Sequence, residues 1–165
     1  LEGAMAELER QEAAVLVPHP EFATVSFEAH DIRTHRDRIH GIEVYNLKHL
    51  ETHNERAREL AAEFDLPPFG SSYAHLPKTV GEAWTEFDRH FETNAELVAA
   101  LRDGAPRSVY HREGATHRLR RVAEFSHLLY ENSWGKIDRL FLSGTEPTHP
   151  DHIAYDGRFD DVSVY

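Results

Sequence analysis

The chain has 165 residues, of which 40% are hydrophobic and 10% aromatic, and this is enough for the buried core of one ordinary domain. It has no cysteine, so disulfides and thiolate metal sites are excluded, and no apolar run approaches the length of about eighteen residues that spans a bilayer. Acidic residues outnumber basic ones by 29 to 18, which gives a formal net charge of -11, so strong DNA binding is not expected. We expect a soluble, cytoplasmic protein that has no contact with membranes.

Lysine is rare among the basic residues, since all but Lys48, Lys78 and Lys136 are arginines. A surface rich in carboxylates and poor in lysine suits concentrated salt, because salt screens the repulsion among the excess negative charges. Adaptation to a salt-rich cytoplasm is therefore one interpretation. An ordinary, mildly acidic protein is the other, and the composition leaves both open.

Helical and extended patterns alternate along the chain. Residues 1–14, rich in Ala and Glu, predict a helix that begins without a capping residue, so we expect this chain to be the C-terminal part of a longer protein. Residues 13–17, an apolar run ended by Pro18, predict a buried strand. Further strands are predicted at 40–46, 69–75, 83–88 and 108–112. Helices or helical turns are predicted at 31–37, 48–64, 92–104, 115–131 and 133–142.

Strands that alternate with helices at this spacing indicate an α/β fold of parallel units, in which ligands bind at the C-terminal ends of the strands. The polar residues that directly follow strands are therefore candidate site residues, namely His19, Asn46 and the turn from Ser71 to His75. Glycine-rich phosphate loops and the GxSxG nucleophile motif are absent. His49 and His53 lie one helical turn apart, but their charged neighbours predict a solvated face rather than a metal site.

Three segments carry a resemblance to a known family: VLVPHPEF, GIEVYN and GSSYAHLPKTVGEAWTEF. They occur in the order and spacing of the C-terminal half of the polymerase-and-histidinol-phosphatase (PHP) family, which this chain resembles over roughly residues 10–90. That family comprises metal-dependent phosphoesterases built on a distorted (β/α)7 barrel. The resemblance implies part of such a TIM-like barrel over residues 1–90, followed by a C-terminal helical extension over residues 91–165.

The resemblance also implies roles for individual residues. His19 matches the family's His-Pro metal ligand, and His75 matches the histidine that closes a Gly-Ser-Asp-Ala-His turn. Glu43, from Gly-Ile-Glu-Val, and Asn46 are expected to orient these ligands. Tyr73 stands where the family has a metal-binding Asp, so it either coordinates metal through its oxygen or is a packed aromatic. If the barrel forms, the two imidazoles should converge within roughly 4–8 Å of each other.

The activity that the resemblance implies is hydrolysis of a phosphate mono- or diester by two or three Mn, Fe or Zn ions. The substrate would be a nucleotide or a phosphorylated small molecule. The family's opening His-x-His motif and early acidic ligands have no counterpart here, so we expect the chain alone to be inactive and the longer protein to be the enzyme. The alternative, favoured by Tyr73, is a degenerate PHP domain that binds or regulates without catalysis.

An arginine-rich stretch reverses the local charge, because residues 102–121 hold six of the fifteen arginines. Arg118, Arg120 and Arg121 are candidates for binding the phosphate groups of a substrate. The alternative, which we favour, is that they pair with carboxylates on the surface of their own domain.

Overall fold

The structure is a computed structural model that describes residues 1–22 and 26–137. The last part of the predicted helix at 133–142 lies outside the described residues. The helices are α1 (Glu2–Arg10), α2 (Ala29–Thr34), α3 (Glu51–Glu63), α4 (Asn94–Arg102), α5 (Ala115–Asn132) and α6 (Trp134–Ile137). The strands are β1 (Leu16–Val17), β2 (Gly41–Asn46), β3 (Pro68–Ser71), β4 (Ala83–Phe87) and β5 (Arg107–His111). Short 3-10 turns lie at Arg36–Arg38 and Pro77–Thr79.

The first three strands form one parallel sheet in the order β1-β2-β3. The prediction that these segments are neighbouring parallel strands is therefore confirmed. β2 is central and buried along its whole length, and its pairing with β3 is interrupted by a bulge between Glu43 and Tyr45. β3 ends earlier than predicted, because Tyr73 has a φ of 43°, a left-handed conformation that cannot continue a strand.

The last two strands correct the sequence-based prediction of parallel units throughout. β4 and β5 pair with each other in an antiparallel, two-stranded sheet, although α4 connects them. The connection from β3 to β4 carries only a 3-10 turn, whereas a parallel crossover needs a dozen or more residues and usually a helix. β4 therefore cannot extend the parallel sheet.

The architecture is mixed α/β, with a parallel sheet and helices, and the predicted (β/α)7 barrel is not confirmed. Within residues 1–22 and 26–137 the three parallel strands form an open sheet. Barrels of this type close with about eight tilted strands, and three strands cannot surround a common axis. The chain divides into two compact units, Leu1–Glu124 and Phe125–Tyr165, and the first contains all five strands listed above. The predicted division at residue 90 remains a prediction.

The core of the first unit lies between the parallel sheet and the helices α1, α2 and α3. Ile42 and Val44 of β2 pack with Leu60 of α3, and the spacing of Ala57 and Leu60 gives this helix its buried face. The other buried members of this cluster are Met5, Val17, Ile32, Ile39 and Leu66.

A glycine on β3 makes a close approach between the two sheets possible. A Cβ atom at Gly70 would overlap the side chain of Val109 on β5. Gly70→Ala should therefore lower the free energy of unfolding by about 1–3 kcal/mol, as overpacking does elsewhere, measured by urea denaturation. Gly3→Ala is the matched control, because a Cβ there meets nothing within 4 Å. Equal stability of the two variants would contradict the close approach, and Val109→Ala should partly rescue Gly70→Ala.

Candidate functional site

Polar side chains gather at the C-terminal ends of the three parallel strands. His19 follows β1, Asn46 ends β2, and Ser71 ends β3, with Tyr73 and His75 just beyond it. Because parallel strands end at the same edge of a sheet, these residues share one edge of the molecule. The structure thus brings together the strand-end candidates that the sequence predicted.

Glu43 of β2 joins the three strand ends through hydrogen bonds to its buried carboxylate. The backbone N–H of His19 donates to Oε2 at 2.7 Å, and the Asn46 side-chain amide donates to the same oxygen at 3.1 Å. The Ser71 hydroxyl donates to Oε1 at 2.6 Å. Glu43 therefore positions the backbone of His19 rather than its ring. The proposed role of Glu43 and Asn46 in orienting metal-binding rings remains a prediction.

His19 is unusual both in its backbone and in its ring. Its φ is 32°, a left-handed conformation between two prolines that non-glycine residues seldom adopt. Its Nδ1 atom is buried and has no hydrogen-bond partner among the described residues. Tyr73 has the same left-handed backbone, and strained residues of this kind concentrate at functional sites.

The ring of Tyr73 lies close to the rings of both predicted metal ligands, His19 and His75. Its centroid is 5.9 Å from the ring centroid of His19 and 5.4 Å from that of His75. The structure therefore places the side chains of His19 and His75 next to that of Tyr73. The separation predicted for the two imidazoles, and their role as ligands, remain predictions.

Two buried charges at this site were not predicted. The ammonium of Lys48 lies 4.7 Å from the Tyr73 ring centroid and 3.5 Å from Oε2 of Glu124 on α5. Oε1 of Glu124 accepts hydrogen bonds from the backbone N–H groups of His75 and Leu76 and from the Thr79 hydroxyl.

The environment of Glu124 keeps this buried carboxylate ionised. Burial raises its pKa, but the hydrogen bonds from Thr79, Leu76 and His75 and the charge of Lys48 outweigh that effect. The pKa of Glu124 therefore lies below its ordinary value. Lys48 is one of only three lysines in the sequence, but no local pattern predicted that Glu124 is its partner.

The prediction of a solvated face at His49 and His53 is wrong. His49 is only 5% exposed, because Phe22 from the loop after β1 stacks on its ring at 4.4 Å. The ring centroids of His53 and His19 lie 5.8 and 6.4 Å from that of His49. Burial, together with the charges of His53 and His19, lowers the pKa of His49 to about 4.

This shift predicts a loss of stability in mild acid. The ordinary pKa of His49 is 6.5, so the unfolded chain takes up a proton before the folded protein does. The free energy of unfolding should fall as the pH drops from 6.5 towards 4, by up to about 3 kcal/mol from this residue. His49→Phe keeps a ring on Phe22 and should remove that share of the pH dependence in urea denaturation. The exposed His30→Phe is the control, and identical pH profiles of the two variants would contradict the prediction.

The arginine-rich stretch makes contacts within its own domain. Arg120 pairs with the buried carboxylate of Glu82, and Arg121 donates to the backbone carbonyls of Leu47 and His49 at 3.3 and 2.6 Å. Arg118 is exposed in the first turn of α5. The contacts of Arg120 and Arg121 favour the self-pairing alternative, and phosphate binding by the three arginines remains a prediction.

The described residues do not by themselves fit a metal cluster. No group of three or more His, Asp or Glu side chains in residues 1–22 and 26–137 could hold a metal ion. The unpartnered Nδ1 of His19 is a suitable nitrogen ligand, but its neighbour Tyr73 offers no carboxylate, and a buried ammonium lies against the Tyr73 ring. Among residues 1–22 and 26–137, none of the helices combines the length and the apolar composition needed to span a membrane.

Comparison with known proteins agrees with the resemblance seen in the motifs. Residues 51–106, about a third of the chain, match the family model described as PHP-associated, and this match agrees with the predicted resemblance to PHP proteins. The matched segment runs from α3 to the loop before β5, so it crosses the predicted domain boundary at residue 90. No curated protein and no solved structure matches the chain.

Proposed function

We propose that this chain is part of a protein that hydrolyses phosphate mono- or diesters with the help of divalent Mn, Fe or Zn ions. The observation that carries the proposal is the grouping of His19 and His75 around Tyr73 at the C-terminal edge of the parallel sheet. This is the edge at which α/β proteins bind ligands, and the PHP relation supplies the class of reaction. The substrate in this proposal is a nucleotide or a phosphorylated small molecule, and the setting is the cytoplasm.

The contribution of this chain is to hold the imidazoles of His19 and His75 at the C-terminal edge of the parallel sheet. Glu43 fixes the backbone of His19, and Glu124 fixes the backbone of His75. Metal ions bound there would lower the pKa of a water molecule and neutralise phosphate charge. Because the described residues do not complete a metal site, the other ligands must come from elsewhere in the protein or from a partner.

A second candidate function is binding of a phosphorylated ligand without hydrolysis. It is favoured by Tyr73, which presents an aromatic ring where related proteins present a carboxylate, and which is 40% exposed at the site. In such a complex, the imidazole N–H groups of His19 and His75 would donate hydrogen bonds to the phosphate oxygens.

Activity assays on the full natural protein distinguish these functions. With Mn²⁺ and a panel of nucleotides, sugar phosphates and aryl phosphate mono- and diesters, we expect turnover that falls at least about 100-fold in His19→Ala and in His75→Ala. The control is His30→Ala, an exposed histidine on α2, which should retain full activity. Unchanged turnover in both site variants contradicts the proposal. Saturable binding of a phosphate ester without turnover establishes the second candidate instead.

A further inference from the structure

A buried cation lies beside Tyr73. Lys48 is 3% exposed, although lysine is among the residues least often buried. It lies two residues after the end of β2. Its ammonium lies against the face of the Tyr73 ring, which is the favourable geometry of a cation–π contact. On its other side it faces the carboxylate of Glu124, which is fully buried.

This ion pair organises the loop that carries His75. One oxygen of Glu124 accepts from two consecutive backbone N–H groups, those of His75 and Leu76, each at 3.0 Å, and from the Thr79 hydroxyl. Hydrogen bonds from several donors to one oxygen favour the ionised carboxylate, and a nearby cation offsets the cost of burying that charge. Lys48 supplies that cation.

In a metal site, the positive charge that Lys48 supplies here would come from a divalent ion held by carboxylate oxygens. Here Tyr73 offers no carboxylate, and the ammonium would repel a divalent ion at the same place. The lack of a three-ligand group in the described residues agrees with this arrangement.

We infer that Lys48 takes the place of a divalent ion as the cation beside Tyr73 and Glu124, so that the Lys48–Glu124 pair holds the His75–Thr79 loop without metal. The inference goes beyond the proposed function, because it assigns the cation beside Tyr73 and Glu124, whereas the proposed metal ions bind at the imidazoles of His19 and His75. It holds whether or not the protein hydrolyses a phosphate ester.

Amide hydrogen exchange at His75 and Leu76 tests the inference, because these two N–H groups bond directly to Glu124. In the wild-type protein, their protection should be unchanged by EDTA and by added Mn²⁺. In Lys48→Met, it should fall by about 100-fold, the effect of leaving one buried charge unpaired. Lys78→Met, the same change at an exposed lysine three residues beyond His75, is the matched control and should leave the protection unchanged.

Two further variants separate charge replacement from general unfolding. Lys48→Met/Glu124→Gln removes both charges and should recover protection relative to Lys48→Met. Lys48→Ala/Tyr73→Asp removes the ammonium and adds a carboxylate, and here Mn²⁺ should restore the protection and bind measurably by electron paramagnetic resonance. Amides of β2 serve as the internal reference for intact folding.

The inference is overturned if EDTA lowers the protection of His75 and Leu76 in the wild-type protein, since a metal would then be the resident cation. It is also overturned if Lys48→Met keeps wild-type protection. Neither result depends on catalytic activity, so a failure of the proposed function is detected separately by the assays of His19→Ala and His75→Ala.

Discussion

Replacing Glu82 with alanine should lower the free energy of unfolding by about 2–4 kcal/mol, because a buried carboxylate that accepts hydrogen bonds from two side chains is lost. Glu82 is 1% exposed and precedes β4. Its Oε2 atom accepts from Nδ1 of the buried His117 at 2.6 Å, and its Oε1 atom pairs with Arg120. The other ring nitrogen of His117 hydrogen-bonds the hydroxyl of Tyr45 at 3.0 Å. The loss of Glu82 would therefore remove the hydrogen bonds by which His117 and Arg120 of α5 contact the residue before β4, and it would weaken the contact of His117 with β2.

The same carboxylate predicts a pH dependence. Burial raises the pKa of Glu82, but hydrogen bonds from His117 and Arg120 outweigh burial, so the pKa lies below its ordinary value of 4.5. A carboxyl with a lowered folded pKa contributes stability above pH 4.5, and this contribution is lost as the pH falls through the lowered value. Glu82→Gln should therefore show a weaker loss of stability in acid than the wild-type protein.

Urea denaturation between neutral pH and about pH 3 measures both effects. Glu86→Gln is the matched control, because Glu86 lies on β4, close to Glu82 in the chain, and is exposed. If Glu82→Gln and Glu86→Gln have the same stability and the same acid profile, the network around Glu82 does not stabilise the fold.

Arg107→Lys should destabilise the protein by about 2–4 kcal/mol, although the charge is retained. The guanidinium of Arg107 on β5 donates to three backbone carbonyls, those of Pro68 at 2.7 Å, His40 at 2.9 Å and Pro67 at 3.2 Å. These carbonyls lie at the starts of β2 and β3, so this side chain joins the antiparallel β4–β5 pair to the parallel sheet. An ammonium is a compact charge and cannot reproduce this planar set of donors.

The measurement is again the free energy of unfolding, with Arg118→Lys as the control at an exposed arginine. The control should lie within about 0.5 kcal/mol of wild type, as surface substitutions do. Equal stabilities of the two lysine variants would show that the three carbonyls do not depend on Arg107.

Local patterns in the sequence were sufficient for most of the elements. The apolar run before Pro18, the β-branched residues of 40–46 and the helical periodicity of 48–64 each predicted an element that the structure contains. Strand alternation with helices predicted the β1-β2-β3 sheet, and the rule that ligands lie at strand ends predicted the grouping of His19, Tyr73 and His75. These successes share one cause, because hydrophobic periodicity and turn residues act over a few neighbouring positions.

The tertiary structure alone decided which distant side chains meet. Tyr45 and His117 are separated by 72 positions, yet their side chains share a hydrogen bond, and Lys48 finds its partner Glu124 across a similar distance in the chain. Phe22, from a loop with no periodic pattern, buries His49 and overturns the prediction of a solvated helix face. The antiparallel pairing of β4 with β5 likewise brings together two strands that α4 separates in the chain. Such contacts follow from the folded arrangement of whole elements, and no short window of sequence contains both partners.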